Sequence, residues 1–347
     1  MRICMVSDAW HPQVNGVVRS LQTTCDHLRR RGHAVTVIGP DAFRSVPCPS
    51  YPEIRLAIAG ERSVGARIAD FAPDMLHLST EGPLGHAARR WALRRGFAFT
   101  TAYHTQFPDY LAQRTGLPAA AFWGFVRRFH APSHATMAAT QSLSRDLTRR
   151  GIGPVVRWGR GVDLEQFGPD GPRDPVIMAA PGPRLLYTGR VAVEKNLEAF
   201  LRCVHPGTKF IVGDGPARAA LQRRYPDVHF LGTKRGEALA AAYRAADCFV
   251  FPSLTDTFGL VMIEALACGV PVAAFDVAGP RDVLCDTVAA MGGDLDAAIA
   301  AALGRDRAAC VRHARRFTWD AATDQFENAL VPMRAGMRQE RRAGQSA

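Results

Sequence analysis

Asp256 and Glu264 lie eight residues apart within Ser253–Pro271, SLTDTFGLVMIEALACGVP. The first carboxylate belongs to a loop. The second falls about one and a half turns into a helix that opens around Gly259 and Leu260. Free N–H groups at such a helix start can face a phosphate. One carboxylate before the helix and one on its flank suit a ligand with phosphate in the middle and hydroxyls at both ends, the layout of a sugar nucleotide. Carboxylates at this spacing recur by chance. Phe258-Gly259 before the helix and Gly269-Val270-Pro271 after it make the segment more specific.

A second group is Gly189-Arg190 followed by Glu194-Lys195-Asn196, directly after the apolar run Leu185–Thr188. The turn at the C-terminal end of a parallel strand is where open α/β sheets bind ligands. Arg190 and Lys195 place two positive charges there, suited to a diphosphate leaving group whose charge grows as a glycosidic bond breaks. The plainer alternative is a solvated ion-pair cluster with Glu194. Gly213 in Gly213-Asp214-Gly215-Pro216 admits close backbone approach to a ligand, or simply makes a turn. Gly16, after Asn15, either admits a phosphate at a helix start or belongs to a cap. His104 follows the strand Ala98–Tyr103, as a catalytic residue or as a structural hydrogen-bonding one. Asp294-Leu295-Asp296 matches a D-x-D metal pattern but precedes an Ala-rich helix, so capping by Asp is the expectation. His33 and His77 adjoin strands and are expected to pack structurally. No metal site is expected.

The elements that must position these residues alternate regularly. Arg2–Ser7, His33–Gly39, Met75–Leu78, Ala98–Tyr103 and Val155–Arg157 read as strands. Helices are expected at Val17–Arg31, closed by Gly32, at Leu84–Arg95 and at Tyr110–Thr115. After residues 168–183, dense in Pro and Gly, the alternation restarts: strands at Leu185–Thr188, Lys209–Val212, Val228–Leu231, Cys248–Phe251 and Val270–Phe275, with helices opening near Asn196, Ala217, Glu237 and Phe258. Such alternation implies an α/β chain with two doubly wound, Rossmann-like domains. The expected boundaries are 1–170 for the first domain, 171–183 for a linker, 184–318 for the nucleotide-sugar domain, and 319–347 for a last helix with a basic tail (Arg334, Arg338, Arg341, Arg342).

A length of 347 residues fits two domains. The eight cysteines are scattered without a C-x-x-C pair, the pattern of a reduced, cytosolic protein. Met1–Trp10 has no apolar leader core, so no signal peptide is expected. Leu260–Phe275 is too short and too interrupted to span a bilayer. Residues 1–170 carry 21 Lys and Arg against 13 Asp and Glu, and residues 171–347 carry 22 against 19. The basic first half points to an anionic partner, or only to an arginine-rich composition in which Lys195, Lys209 and Lys234 are the sole lysines.

Taken in order, NGVVRSL, RGHAVTVIG, YHTQFP, RGVDLEQF, TGRVAVEKN, VGDGP, YRAADCFVFPS and TDTFGLVMIEALACGVPV resemble family 4 of the retaining glycosyltransferases, with the GT-B fold. The resemblance covers almost the whole chain. It implies a nucleotide-sugar donor held between two domains and transferred with retention, with no obligatory metal or other cofactor. By it, Arg190 and Lys195 hold the diphosphate, Gly16 approaches it from the other domain, and Glu264 hydrogen-bonds the ribose. Asp256, where the family usually has Glu, contacts donor-sugar hydroxyls. His104 lies near the reacting carbon, and Gly259 and Leu260 present N–H groups. Retention is explained in the family by front-face attack, so no enzymatic nucleophile is assigned.

Glu81–Gly85 (EGPLG), Tyr103–Leu111, TDTFGLV and Ala278–Val283 (AGPRDV) are most similar to bacterial enzymes that glycosylate lipids, among them diacylglycerol glucosyl- and glucuronosyltransferases and mannosyltransferases. The expectation is UDP-glucose first and GDP-mannose second as donor, a lipid acceptor, and peripheral attachment to the anionic cytoplasmic membrane face. Arg89, Arg90, Arg94, Arg95, Arg127 and Arg128 are candidate contacts, and Phe122-Trp123-Gly124-Phe125 forms either an apolar edge or a buried helix. Rival readings are a polysaccharide or small-molecule acceptor, a sugar-nucleotide epimerase, an oxidoreductase, and a nucleic-acid binder. The oxidoreductase lacks its G-x-G-x-x-G after the first strand. The nucleic-acid binder explains the charge but not the motifs, so no nucleic-acid partner is expected.

Overall fold

In the computed structural model, residues 1–13, 15–48, 51–104, 106, 108, 112 and 115–334 are described. Most of the helix expected at 110–115, and the basic tail residues Arg338, Arg341 and Arg342, lie outside them. The chain divides into two compact units, Met1–Gly159 with the segment from Trp319 onward, and Arg160–Thr318.

In the first unit, β1 (Arg2–Val6) buries Ile3, Cys4, Met5 and Val6 in succession, as a strand covered on both faces must. Helix α1 (Gly16–Arg30) begins where the Asn15 side chain accepts hydrogen bonds from the N–H groups of Val17 and Val18, both at 3.0 Å. It buries Val18, Leu21, Cys25 and Leu28 along one stripe. Gly32, at φ 81°, takes the left-handed conformation that ends the helix. There follow β2 (Ala34–Ile38), an antiparallel hairpin of β3 (Ser45–Cys48) and β4 (Tyr51–Ala57), α2 (Glu61–Phe71), β5 (Met75–Leu78) and α3 (Pro83–Arg94). The segment closes with β6 (Thr100–Tyr103), α4 (Ala120–His130), β7 (Thr136–Ala138), α5 (Gln141–Arg149) and β8 (Val155–Arg157). The main sheet is parallel, in the order β2-β1-β5-β6-β7-β8. Its strand order reverses between β1 and β5.

The Pro- and Gly-rich stretch expected to be a linker is docked on the second unit. Asp174 caps a short helix, α6 (Pro175–Ala179), and pairs with Lys234 at 2.8 Å. Buried Arg244 donates to the carbonyl of Pro172 at 2.9 Å, and Ile177 is fully buried. From there the alternation runs as β9 (Arg184–Thr188), α7 (Leu197–Leu201), β10 (Thr208–Val212), α8 (Arg218–Arg224), β11 (His229–Gly232), α9 (Gly236–Ala245), β12 (Cys248–Phe251), α10 (Leu260–Ala267), β13 (Val272–Phe275), α11 (Ala278–Val283), β14 (Ala289–Gly292), α12 (Leu295–Ala302) and α13 (Arg307–Ala314). The sheet is parallel throughout, in the order β11-β10-β9-β12-β13-β14, so its switch point lies between β9 and β12. Leu185, Tyr187, Ile211, Val250, Ala273 and Ile299 form the centre of its core.

Helix α14 (Trp319–Ala329) belongs to the first unit. Its Phe326 and the following Leu330 pack with Ile3, Met5 and Leu21, and its acidic face meets α1 through Arg31–Asp324 at 2.5 Å. Two sequence expectations for histidines hold. His77 is fully buried with Nδ1 2.9 Å from the Thr100 hydroxyl, and His33 Nε2 lies 3.0 Å from Glu327. Asp294 caps α12, accepting from the Asp296 N–H at 2.9 Å.

Candidate active site

The residues singled out in the second half gather at the C-terminal ends of β9, β10 and β12, around the switch point where an open parallel sheet leaves room for a ligand. β9 ends at Thr188, and the chain turns through Gly189 and Arg190. The buried Tyr187 hydroxyl donates to the Arg190 carbonyl at 2.8 Å, and burial pushes the pKa of that phenol up, so it stays protonated for the task. A single 3₁₀ turn, Val193–Lys195, carries Lys195, and Asn196 leaves it in the left-handed conformation at φ 52°.

The loop after β12 meets this turn at two points. Lys195 Nζ lies 2.5 Å from Asp256 Oδ1, and Asn196 Nδ2 donates to the Pro252 carbonyl at 3.1 Å. Both members of the ion pair are about one-fifth exposed, which leaves their charges accessible to a ligand. Gly279 supports Asp256 from behind, since a Cβ there would sit 2.5 Å from the Asp256 carbonyl oxygen.

Helix α10 starts at Leu260, two residues later than the expected Phe258. The difference arises because Gly259, at φ 79° and ψ 70°, occupies the N-cap in the left-handed region. Among the described residues no side chain caps this end and no acidic residue stands in its first turn, so nothing on the helix itself competes with an anion there. Glu264, four residues along α10, is only 2 % exposed, and its Oε2 accepts from the Tyr243 hydroxyl at 2.9 Å.

Gly213 follows β10 at φ 143° and packs against the neighbouring turn. A Cβ there would lie 1.8 Å from the Gly189 carbonyl oxygen. Its smallness is therefore a condition for Gly189 and Arg190 to sit where they do.

Gly16 and His104 belong to the first unit. Gly16 opens α1 in the loop after β1, and a Cβ there would meet nothing within 4 Å among the described residues. His104 follows β6, is 9 % exposed, and sets its ring edge-on to Trp158 at 5.3 Å. Between the loops at this unit's switch point lies buried Asp8. It accepts from the N–H groups of Leu84 at 2.9 Å and Gly85 at 3.2 Å and from the Thr80 hydroxyl at 2.9 Å. Burial raises its pKa, and those three donors oppose the rise. Asp8 thus holds the EGPLG segment at the start of α3.

Three positions escaped the sequence reading. Tyr243 had one available signal, a phenol inside an Ala-rich helix, because a buried tyrosine hydroxyl needs a partner. Tyr187 carried the same signal inside an apolar strand. Asp8 follows the first strand but had no marked partner. Of the arginines proposed as surface contacts, Arg89 is turned to another use, donating to the carbonyls of Phe129 at 3.0 Å and Arg128 at 2.7 Å and so tying α3 to α4. Arg90, Arg127 and Arg128 are exposed, Arg94 pairs with Glu61 at 3.2 Å, and Arg95 stacks over Trp91. Trp123 is buried while Phe125 is 45 % exposed, so the aromatic run divides between core and surface. Among the described residues no group of three or more His, Cys, Asp or Glu side chains could hold a metal ion, and no helix is long and apolar enough to cross a membrane. The seven cysteines with described side chains are free thiols.

Two family models match, "Glycosyltransferase Family 4" over residues 14–166 and "Glycosyl transferases group 1" over 182–305. A GDP-mannose-dependent alpha-mannosyltransferase of Mycolicibacterium smegmatis is 35% identical, covering 82% of this chain and 82% of that one. An alpha-monoglucosyldiacylglycerol synthase of Streptococcus pneumoniae is 26% identical over 79% of this chain and 71% of its own. In fold, the sucrose-phosphate synthase of Thermosynechococcus elongatus superposes with a TM-score of 0.76 at 20% identity, covering 94% of this chain and 97% of that one. Both halves of the sequence, its two parallel-sheet units and its relatives lead to one assignment: the chain belongs to the family 4 glycosyltransferases, enzymes that use a nucleotide sugar, and has their GT-B fold.

Proposed function

We propose that this enzyme transfers a hexosyl unit from a nucleotide sugar, with retention and without an obligatory metal, to a lipid acceptor such as diacylglycerol at the cytoplasmic membrane face. The observation that carries the donor half is the laced switch point of the second unit. There an accessible Lys195–Asp256 pair, the turn bearing Arg190 and the uncapped start of α10 share one sheet edge. Arg190 and Lys195 are assigned to the diphosphate, with the N–H groups at Gly259 and Leu260. Glu264 is assigned to the ribose and Asp256 to hydroxyls of the donor sugar. Gly16 is assigned to a close phosphate approach, His104 to the sugar, and Gly213 to holding the phosphate turn. A preorganised set of positive charges and N–H dipoles is what a departing nucleoside diphosphate requires.

The 35%-identical relative, named for GDP-mannose, moves that donor ahead of UDP-glucose, the sequence's first expectation. The lipid acceptor is supported by the diacylglycerol-glycosylating relative and by the basic first unit. The testing experiment incubates purified protein with UDP- and GDP-sugars, with and without diacylglycerol-containing liposomes, and reads nucleotide release and lipid products. Acceptor-dependent release with a new glycolipid is expected. Release that no lipid stimulates, restored by a soluble sugar or polysaccharide, overturns the lipid acceptor while keeping the transferase. Epimerised donor in the absence of any acceptor overturns the transfer itself.

A further inference from the structure

One buried hydroxyl joins the two halves of the proposed donor site. Tyr243, in the last turn of α9, is fully buried, and its oxygen meets Glu264 and Thr188. It donates to Glu264 Oε2 at 2.9 Å, and it hydrogen-bonds the hydroxyl of Thr188, the last residue of β9. A carboxylate only accepts, so the tyrosine's single proton goes to Glu264 and Thr188 must donate to Tyr243. The direction of the chain is thereby fixed, from Thr188 to Tyr243 to Glu264. The ring is held on its sides by Phe167 at 5.9 Å and Phe249 at 5.7 Å, so the hydroxyl has little freedom to leave. Thr188 and Glu264 are themselves 3 % and 2 % exposed. A buried polar chain that is satisfied at each link fixes geometry more firmly than any of its members alone.

We propose that Tyr243 is a positioning residue of the donor site, using its hydroxyl to hold the Glu264 carboxylate in the orientation that meets the two ribose hydroxyls of a nucleoside diphosphate. The inference rests on the reading of Glu264 as the ribose partner. Tyr243 touches no ligand in this account. It acts through Glu264, and Thr188 acts through Tyr243 from the strand end that precedes Gly189 and Arg190. The same hydroxyl therefore keeps the ribose carboxylate in register with the diphosphate turn.

The test measures binding of UDP and GDP, and of their 2′,3′-dideoxy analogues, by calorimetry with wild type, Y243F, T188V and E264A. Wild type is expected to prefer the preferred base's ribose form over its dideoxy form. Y243F should lose about tenfold of the ribose form's affinity, the scale of one hydrogen bond to a charged group, and leave the dideoxy form unchanged. T188V should show the same selective loss, smaller in size, and E264A the largest. If E264A loses the preference for ribose while Y243F and T188V retain it, the positioning role is overturned and the donor site stands. An E264A protein that still prefers ribose overturns the Glu264 assignment and the inference with it. Equal loss of both nucleotide forms in Y243F and T188V, with a lowered melting temperature, shows a purely structural hydroxyl and also overturns it.

Discussion

Lys195 and Asp256 are a single ion pair, Nζ to Oδ1 at 2.5 Å, so the cation assigned to the diphosphate and the carboxylate assigned to the sugar orient each other. Each is about one-fifth exposed, which places the pair between the weak surface class and the costly buried class. K195A or D256A should lower kcat/KM by about 10²-fold, since each removes a preorganised group and leaves its partner misdirected. A double-mutant cycle read by steady-state kinetics should give a coupling of about 1 kcal/mol or more. Additive losses would mean that the two act independently.

Gly16 and Gly213 should respond to alanine in opposite ways. At Gly213 the new Cβ would meet the Gly189 carbonyl at 1.8 Å in a backbone region with φ 143°. G213A should therefore cost about 2 kcal/mol or more of stability, visible as a lowered melting temperature. At Gly16 a Cβ meets nothing within 4 Å among the described residues, so G16A should melt like wild type. Its deficit should appear in donor affinity, measured as KM for the nucleotide sugar.

Asp174 provides a pH-dependent contribution to stability. Burial pushes its pKa up, but Lys234 and the N–H groups of Ile177 and Val176 more than offset this, and the net shift is downward. A carboxylate depressed in the folded state stabilises above its unfolded pKa, and that stabilisation disappears as pH falls through the folded value. D174A should be less stable than wild type by about 1 kcal/mol near neutrality, the usual worth of an N-cap. Urea melts across acidic pH should show that gap constant down to about pH 5 and narrowing below about pH 4, the ordinary Asp range.

Membrane attachment should depend on the exposed arginines of α3 and α4. Arg90, Arg127 and Arg128 are exposed, and Phe125 on α4 is 45 % exposed. Each charge near an anionic surface contributes about 1 kcal/mol. R127E with R128E should abolish flotation with anionic liposomes at low salt, while R89E should instead lower stability through its lost carbonyl bonds. Wild type that fails to float at low salt would sink the attachment.

Strands β9 to β13 of the second unit were readable because they are short apolar runs that end at glycine or polar turns, as at Leu185–Thr188 and Cys248–Phe251, whereas β14 was not anticipated. The β3–β4 hairpin was not: Pro47 and Pro52 argue against strands, and its alternation is masked by charged Glu53 and Arg55. Helix α6 was hidden inside a Pro- and Gly-rich stretch, where Asp174-Pro175 was the only start signal. For the site, charges and glycines near motif positions were visible. The link from Thr188 through Tyr243 to Glu264 was not, because a contact made across three separate elements leaves no spacing in the sequence.

The return of α14 to the first unit makes residues 160–318 an insertion within the sequence of its neighbour. The core around Ile3 and Met5 includes Phe326 and Leu330 from this returning segment. Exchanging everything after residue 159 between relatives would therefore set another chain's helix against α1, where Arg31 now meets Asp320, Asp324 and Glu327. An exchange made with two cuts, before Arg160 and after Thr318, carries the donor-binding unit as a cassette and leaves the recipient's own core intact.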